Sequence, residues 1–321
     1  MMKKAIFRKY KSSDFMRVRD FLIRNYLAFD PPVNWDVVRW NYARYFAAPM
    51  LGAWGIGNVA ATIPDISSNA ASRAVKLWES VIGIWETVRG EIAGVVCPDE
   101  YVPWHPAFGQ AFLQRDPRHE YLLPEMLSYA EQTLSHSAKA RITIGSRDIS
   151  LIRIVQERGY QKDEKPCMHM MQYDLQKLPP SRLPEGYRFM SMAETDDLEK
   201  RRKVFGLSFR HPNPNEWPTR TSYSSLQTAP DYRKDLDLVV VRPDGEFVAC
   251  TIAWYDADNR LATLEPLGSI QLGMGREVAI EALQRTAALG AKIAYMDSGL
   301  KFYLKIGFQK TFPIYRWIKR L

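Results

Sequence analysis

The feature that most limits the possible folds is a pattern that occurs twice along the chain. A turn followed by an alternating apolar strand occurs at Gly90 and again at Gly245, 155 residues later. A helix that ends on a glycine and is followed by an aromatic strand residue occurs at Gly159 and again at Gly307, 148 residues later. Both patterns have recognised structural meanings. Because the two separations are similar, we interpret the chain as two copies of one unit of helices and strands.

A proline-rich segment lies between the two copies. Residues 177–186 contain three prolines and one glycine, and they lack the apolar period of a helix or strand. Such a segment is typical of a linker. A length of 321 residues also suits two domains. We therefore predict a first domain at 1–176, a linker at 177–186 and a second domain at 187–321, both of an α/β class with α+β character.

The composition is that of a folded globular protein. Hydrophobic residues make up 46% of the chain and charged residues 25%, which excludes a disordered chain, a collagen-like repeat and a disulfide scaffold. The 44 Lys and Arg exceed the 36 Asp and Glu, and the resulting net charge of +8 suits an anionic ligand. Three widely spaced cysteines, no targeting segment and no long apolar run lead us to expect a cytoplasmic protein with no membrane partner.

Two other kinds of ligand receive little support from the sequence. The five histidines have no spacing typical of metal ligands, so we expect no metal site. Trp35, Trp40 and Tyr42, with Arg39 and Arg44 beside them, are residue types that stack on nucleic-acid bases. Their helical spacing favours burial instead. We therefore expect no nucleic-acid partner.

The second copy contains an arrangement suited to an anion. A strand at 261–268 stops at a proline–glycine break, a glycine-containing loop follows at 269–276, and an amphipathic helix occupies 277–289. The N–H groups and the dipole at a helix N-terminus attract negative charge, and Arg276 adds a cation there. The rest of the copy is predicted to form a strand at 292–296, a helix at 299–306 and a final hairpin at 308–318.

Three short motifs carry a resemblance to a known family. They are Glu265-Pro266-Leu267-Gly268, Gly273-Met274-Gly275 and Phe302-Tyr303-Leu304-Lys305-Ile306-Gly307-Phe308. With them, the second half resembles the GNAT superfamily of acyl-coenzyme A-dependent N-acyltransferases, and the whole chain looks like its bacterial tandem-domain members. The resemblance implies two GNAT-like domains, each a mixed, mostly antiparallel sheet flanked by helices. The glycine loop departs from the family's form, because it is shorter and Gln271 lies one residue too close to Gly273.

The resemblance also implies roles for individual residues. Acetyl-CoA would be the co-substrate, Glu265 the general base and Tyr303 the acid for the departing thiolate. A structural carboxylate that pairs with Arg276 or caps a loop remains the alternative for Glu265, and a half-buried packing aromatic the alternative for Tyr303. The residues implied to hold the cofactor are Leu264, Leu267, Gly268, Gln271, Gly273, Met274, Gly275 and Arg276.

The first copy lacks the glycine loop. Residues 110–120 contain no glycine and carry Asp116 and Glu120 where a pyrophosphate would lie, so we interpret it as a degenerate domain. A helix is predicted at 121–134. Residues 52–74, which contain the Gly55-x-Gly57 pair, are predicted to form an insertion loop. The chain is thus predicted to acetylate an amine of a small molecule or peptide in its second domain. The alternative is a GNAT-fold binding or regulatory protein without turnover.

Overall fold

The computed structural model describes residues 5–50, 67–101 and 108–321. The chain forms two compact units. Among the described residues, unit 1 contains 5–50, 67–101, 108–170 and 311–321, and unit 2 contains 171–310. The Gly55-x-Gly57 pair lies outside the described residues.

Unit 1 has a mixed sheet. Its strands follow the order β1-β2-β3-β4-β5, antiparallel except for the parallel pair β4–β5: β1 (Ile6–Lys9), β2 (Gly83–Glu86), β3 (Ile92–Pro98), β4 (Gln110–Arg115), β5 (Lys139–Gly145) and, off this path, β6 (Gln161–Lys162). The α-helices are α1 (Phe15–Tyr26), α2 (Val37–Tyr42), α3 (Ser67–Ser80), α4 (Leu123–Thr133) and α5 (Ile149–Glu157). A π-helical turn (Ala43–Ala47) follows α2, and a 3-10 helix (Pro117–Leu122) precedes α4.

Unit 2 repeats this plan. Its strands are β7 (Met168–Asp174), whose first residues belong to unit 1, β8 (Arg188–Ser191), β9 (Asp237–Val241), β10 (Phe247–Asp256), β11 (Leu261–Ser269) and β12 (Ile293–Ser298). The sheet order is β7-β12-β11-β10-β9-β8, and β11–β12 is the parallel pair. The helices are α6 (Met192–Thr195), α7 (Leu198–Ser208), α8 (Arg220–Leu226), α9 (Met274–Ala288) and α10 (Lys301–Ile306). The expected class of mixed, mostly antiparallel sheets flanked by helices is confirmed.

Both faces of the unit 2 sheet are covered. Val278 and Leu283 of α9 pack with Leu238 and Val240 of β9 on one face, and Val204 of α7 packs on the other. All five residues of β9 are therefore buried, which explains why this strand is a continuous apolar run after its first residue rather than an alternating one.

Two helices, and not one, follow β8. Asp196, with φ +48°, separates α6 from α7. Asp197 then begins α7, where its side chain accepts a hydrogen bond from the Lys200 N–H and caps the helix. Elsewhere, the helix predicted at 121–134 begins as the 3-10 helix at 117, and α3 occupies 67–74 of the predicted insertion loop.

The predicted C-terminal hairpin at 308–318 is wrong. Residues Gln309–Arg320 form one strand, β13, which contains no glycine, asparagine or aspartate to make a turn. Its residues 314–320 pair antiparallel with the whole of β5, and residues 311–321 belong to unit 1. Trp317, which is buried, packs in the unit 1 core with Ile142 and Val155. The copy that precedes the linker is therefore completed by residues that follow the second copy.

This arrangement predicts that a change in β13 destabilises unit 1. Trp317→Ala should lower the free energy of unfolding by about 3–5 kcal/mol, because it leaves a large cavity among buried apolar side chains. The exposed neighbour Arg316 provides the control, and Arg316→Ala should change that free energy by less than about 0.5 kcal/mol. Denaturant unfolding measures the loss, and hydrogen exchange of the β5 amides locates it. Protection retained in β5 of the Trp317 variant would contradict the assignment of β13 to this unit.

Candidate functional site

Strands β11 and β12 of unit 2 separate after a short paired start. The registered pairs between them are Leu261–Ile293 and Ala262–Ala294, whereas β11 continues to Ser269. The other edge of β11 pairs with β10 as far as Ser269. Beyond Ala262, no registered pair joins β11 to β12, and we call the space between these two strands the wedge. An extended ligand can pair with backbone groups along a strand edge of this kind.

A bulge in β11 places Glu265 beside the wedge. Thr251 and Ala253 of β10 pair with Leu267 and Leu264, so β11 holds one residue more than β10 between these pairs. The displaced Glu265 carbonyl accepts a hydrogen bond of 2.7 Å from the buried Trp254 indole. The Glu265 side chain is exposed. The strand predicted at 261–268 continues through Pro266 and ends at Ser269, since a bulge tolerates the missing N–H of proline.

Tyr303 on α10 lies near Glu265. Its ring is buried and makes edge contacts with Phe302 and Phe308. Burial, together with the nearby carboxylates of Glu265 and Asp297, raises the pKa of the Tyr303 phenol above its usual value of 10. The phenol therefore remains protonated at physiological pH. The structure thus brings the two predicted catalytic residues close enough to interact electrostatically.

Asp297 is a part of this site that the sequence analysis missed. It lies four residues after Ile293, the first paired residue of β12, as Glu265 lies four residues after Leu261 in β11. Two carboxylates therefore occupy corresponding positions on the two strands that border the wedge. The register of the parallel pair could have indicated Asp297, but that register depends on the fold and is absent from any local motif.

The glycine segment forms the N-terminus of α9. The helix begins at Met274, so Gly275 and Arg276 lie in its first turn and not in a loop as predicted. Gly273 precedes the helix with φ +86°, a conformation that favours glycine, and the space beside its Cα is open. Within the described chain, the N–H groups of Gly273 and Gly275 form no backbone hydrogen bond. They are available to an anion, as at many helix N-termini.

Several of the predicted cofactor residues already have contacts within unit 2. The Gln271 side chain donates a hydrogen bond of 3.0 Å to the Tyr187 hydroxyl. A Cβ on Gly275 would lie 3.1 Å from the Cβ of Ser269, so a side chain at this position would be tightly packed. Met274 and Leu264 are buried in the core, and only their backbone groups are suited to a ligand.

The cation at this helix end is already paired. The Arg276 guanidinium lies 2.5 Å from the Glu277 carboxylate, whose other oxygen accepts a hydrogen bond of 2.6 Å from the Arg182 N–H. The positive charge expected for a pyrophosphate is thus partly neutralised. Pairing with Arg276 was one alternative role for Glu265, but Arg276 pairs with Glu277 instead.

Helix α7 borders β11 from the other side. The buried guanidinium of Arg201 pairs with the buried Asp237 of β9 at 2.8 Å and holds the helix against the sheet. The last residue of α7, Ser208, lies against Gly268. A Cβ on Gly268 would be 2.5 Å from the Cβ of Ser208, so a larger residue does not fit there.

The corresponding place in unit 1 is closed. Strands β4 and β5 also have two registered pairs, Gln110–Arg141 and Ala111–Ile142. Beyond them the Arg115 side chain, which is 1% exposed, forms two hydrogen bonds to Asp148, at 2.7 and 2.9 Å. Asp148 precedes α5 as Leu300 precedes α10, and each lies seven residues after the first paired residue of its strand. An ion pair thus spans unit 1 where unit 2 has an exposed leucine.

The fold relates the chain to known structures, whereas no family model and no curated protein sequence matches it. A GCN5-related N-acetyltransferase from Sphaerobacter thermophilus aligns over 98% of this chain and 95% of its own, with a TM-score of 0.54 and 15% identity. A tandem GNAT protein from the clavulanic acid biosynthesis pathway aligns over 98% of both chains, with a TM-score of 0.52 and 12% identity. N-myristoyltransferase of Saccharomyces cerevisiae, solved with myristoyl-CoA, aligns over 100% of this chain and 80% of its own, with a TM-score of 0.53 and 9% identity.

These alignments show that the chain has the fold of the GCN5-related N-acetyltransferases. Their coverage of nearly the whole chain, together with the tandem neighbour, confirms the expectation of two GNAT-like domains. Among the described residues there is no group of three or more His, Cys, Asp or Glu suited to a metal ion. No described helix is both long enough and apolar enough to cross a membrane.

The ion pair in unit 1 gives a prediction about stability. Asp148→Ala should lower the free energy of unfolding by about 3 kcal/mol, because it leaves the buried Arg115 with the partly exposed Glu120 as its one remaining carboxylate partner. Removal of the helix cap that Asp148 also provides accounts for only about 1 kcal/mol of this. The double variant Arg115→Met with Asp148→Ala should regain at least about 2 kcal/mol over the single variant. A single-variant loss of about 1 kcal/mol in denaturant unfolding would mean that the pair contributes little beyond the cap.

Proposed function

We propose that unit 2 transfers an acyl group from a pantetheine thioester, acetyl-CoA in the simplest case, to an amine. The observation that carries the proposal is the position of the protonated Tyr303 and the exposed Glu265 beside the wedge between β11 and β12. Attack of an amine on a thioester needs a group that accepts the amine proton and a donor near the departing sulfur. The two side chains provide one of each.

The residues around the wedge fit a pantetheine thioester. The part of β11 that borders the wedge, between Leu264 and Gly268, contains amide groups of the kind that a pantetheine arm can pair with. The N–H groups of Gly273 and Gly275, with the dipole of α9, favour a phosphate group at the same end of the strand. The closed state of the corresponding place in unit 1 supports donor binding in unit 2 alone.

The proton transfers follow from the local charges. Glu265 accepts a proton from the amine, the amine nitrogen bonds to the thioester carbon, and the carbon–sulfur bond then breaks to leave a thiolate. The hydroxyl of Tyr303 donates a hydrogen bond to that sulfur. Because the Glu265 carboxylate is one cause of the raised pKa of Tyr303, its protonation lowers this pKa again. The phenol thus becomes a better acid as the thiolate forms.

One observation favours the alternative of a binding protein without turnover. The pairing of Arg276 with Glu277 leaves less positive charge for a pyrophosphate than an unpaired arginine would. Calorimetry with acetyl-CoA and an assay of thiol release with a panel of small amines and peptides distinguish the two functions. Binding with amine-dependent thiol release supports the enzyme. Binding without release from any amine supports the alternative, and no binding rules out acetyl-CoA as the ligand in either function.

The first functional prediction concerns Tyr303. Tyr303→Phe should reduce kcat about 10²-fold and leave KM for the donor nearly unchanged, because the lost hydroxyl acts on the departing sulfur. Tyr255→Phe, which removes a hydroxyl bonded to the Leu289 carbonyl, is the matched control and should keep the wild-type rate. Since the pKa of Tyr303 is raised, wild-type activity should not decline between about pH 7 and about pH 10 through loss of this proton. Equal rates in the two variants would make Tyr303 a packing residue.

The second functional prediction concerns Glu265. A base acts in its deprotonated form, so kcat/KM should rise with pH on the acid side and then level off. Glu265→Gln should remove this rise and lower the rate at least about tenfold, with little change in thermal stability, because the side chain is exposed. Glu185→Gln, at another exposed glutamate, should keep the wild-type profile. An unstable Glu265 variant that keeps the acid limb would show instead that this carboxylate is structural.

A further inference from the structure

Most exposed apolar side chains of unit 2 belong to two short segments. Seven large apolar side chains are exposed among residues 171–310, and five of them lie at 270–272 or 300–304. We call these five residues the apolar rim: Ile270, Leu272, Leu300, Phe302 and Leu304. Leu272 is 100% exposed and Leu300 is 63% exposed. A concentration of this kind on a folded unit is typical of an interaction site.

The apolar rim lies beside the wedge. A Cβ on Gly275 would be 3.4 Å from the ring of Phe302, so α10 lies against the first turn of α9. Ile270 and Leu272 belong to the segment that joins β11 to this turn. Tyr303, adjacent to Phe302, is the residue influenced by Glu265 and Asp297. A partner on the rim would therefore stand where a thioester arm enters the candidate site.

The charged residues of the α10 part of the rim are lysines, whereas the carboxylates of Glu265 and Asp297 lie at the wedge. Residues 298–310 contain three lysines and no aspartate or glutamate. Two of them lie on α10, and both are exposed. Lys305 directly follows Leu304, and Lys301 lies about one helical turn before it. Neither lysine forms an ion pair with any residue that the structure describes. Leucines among unpaired lysines are complementary to a surface that combines apolar residues with acids.

The nucleotide end of coenzyme A accounts for only part of this surface. Its phosphates suit the lysines and its adenine can pack on one apolar side chain, but a single nucleotide does not need five exposed apolar side chains, and Arg276 at the helix N-terminus is already paired with Glu277. A protein that carries the acyl group on a phosphopantetheine arm has the same arm and thioester but a single phosphate. Its folded surface can contact the leucines and lysines directly.

We propose that the apolar rim docks an acidic carrier protein that delivers the acyl thioester into the wedge on its phosphopantetheine arm. The inference rests on the proposed function and names the donor for that site. Contacts outside the wedge then supply binding energy that the shortened glycine segment does not. Because exposed charges are screened by salt, binding of the carrier should weaken as ionic strength rises.

The experiment compares three donors with one acetyl group and one arm. Acetyl-pantetheine, acetyl-CoA and a purified acidic acyl carrier protein bearing acetyl-phosphopantetheine are titrated into the full chain by calorimetry. The carrier should bind at least about tenfold more tightly than acetyl-CoA, and its affinity should fall at least about fivefold between about 50 mM and about 300 mM salt. The carrier without its arm should bind more weakly than the loaded form.

Variants of the rim test which surface is responsible. The double change Lys301→Glu with Lys305→Glu should weaken carrier binding at least about tenfold and acetyl-pantetheine binding less than about twofold. Leu272→Ser, at a fully exposed position, should weaken carrier binding with no effect on folding. Lys292→Glu, at an exposed lysine directly before β12, is the control and should change nothing.

The outcomes separate this inference from the proposed function. If acetyl-CoA binds as tightly as the carrier, or if the lysine variant weakens its binding by the same factor, the lysines bind the nucleotide. Either result overturns the proposal of a carrier protein. Binding of acetyl-CoA and acetyl-pantetheine with none of the carrier leaves the proposed function standing and overturns the inference. Absence of binding by all three donors overturns both.

Discussion

The separation of β11 from β12 is the constraint on which the candidate site depends. Two strands that stay paired satisfy each other's backbone groups and admit nothing between them. Here the pairs end at Ala262–Ala294, while β10 keeps the far edge of β11 in register. The result is a rigid strand with one free edge. The bulge at Glu265 and the position of Tyr303 on α10 both derive their chemical meaning from that opening.

The two units show how one scaffold can be open or closed. In each unit the two parallel strands share two registered pairs of residues. A helix then starts eight residues after the first paired residue of the second of these strands. In unit 1 a buried arginine and aspartate fill the space between these elements. In unit 2 the residue corresponding to Asp148 is Leu300, which has no charge and faces solvent. A single pair of charges is therefore enough to distinguish the units without any change in topology.

Much of this could be predicted from local patterns, and the remainder depends on tertiary structure. The glycine turns, the fold class and the proximity of Glu265 and Tyr303 follow from motifs of a few residues, whose spacing is preserved by the fold. The pairing of Arg276 with its neighbour Glu277 could not be predicted, because adjacent side chains on a helix usually diverge. Asp297 was missed for a related reason, since its significance lies in its position across the wedge. The destination of β13 was also inaccessible, because an apolar strand pattern does not specify which edge it will join.

The location of β13 has a consequence for how the chain is made. Synthesis proceeds from the N-terminus, and domains generally fold as their last residues emerge. Unit 1 cannot follow that order, because the strand that covers the β5 edge is translated after the whole of unit 2. Until then β5 presents an unpaired edge, which is a site where other strands can add. The sheet of unit 1 therefore stays incomplete while the 140 residues of unit 2 are synthesised. Chaperones that bind the exposed β5 edge protect it during this interval.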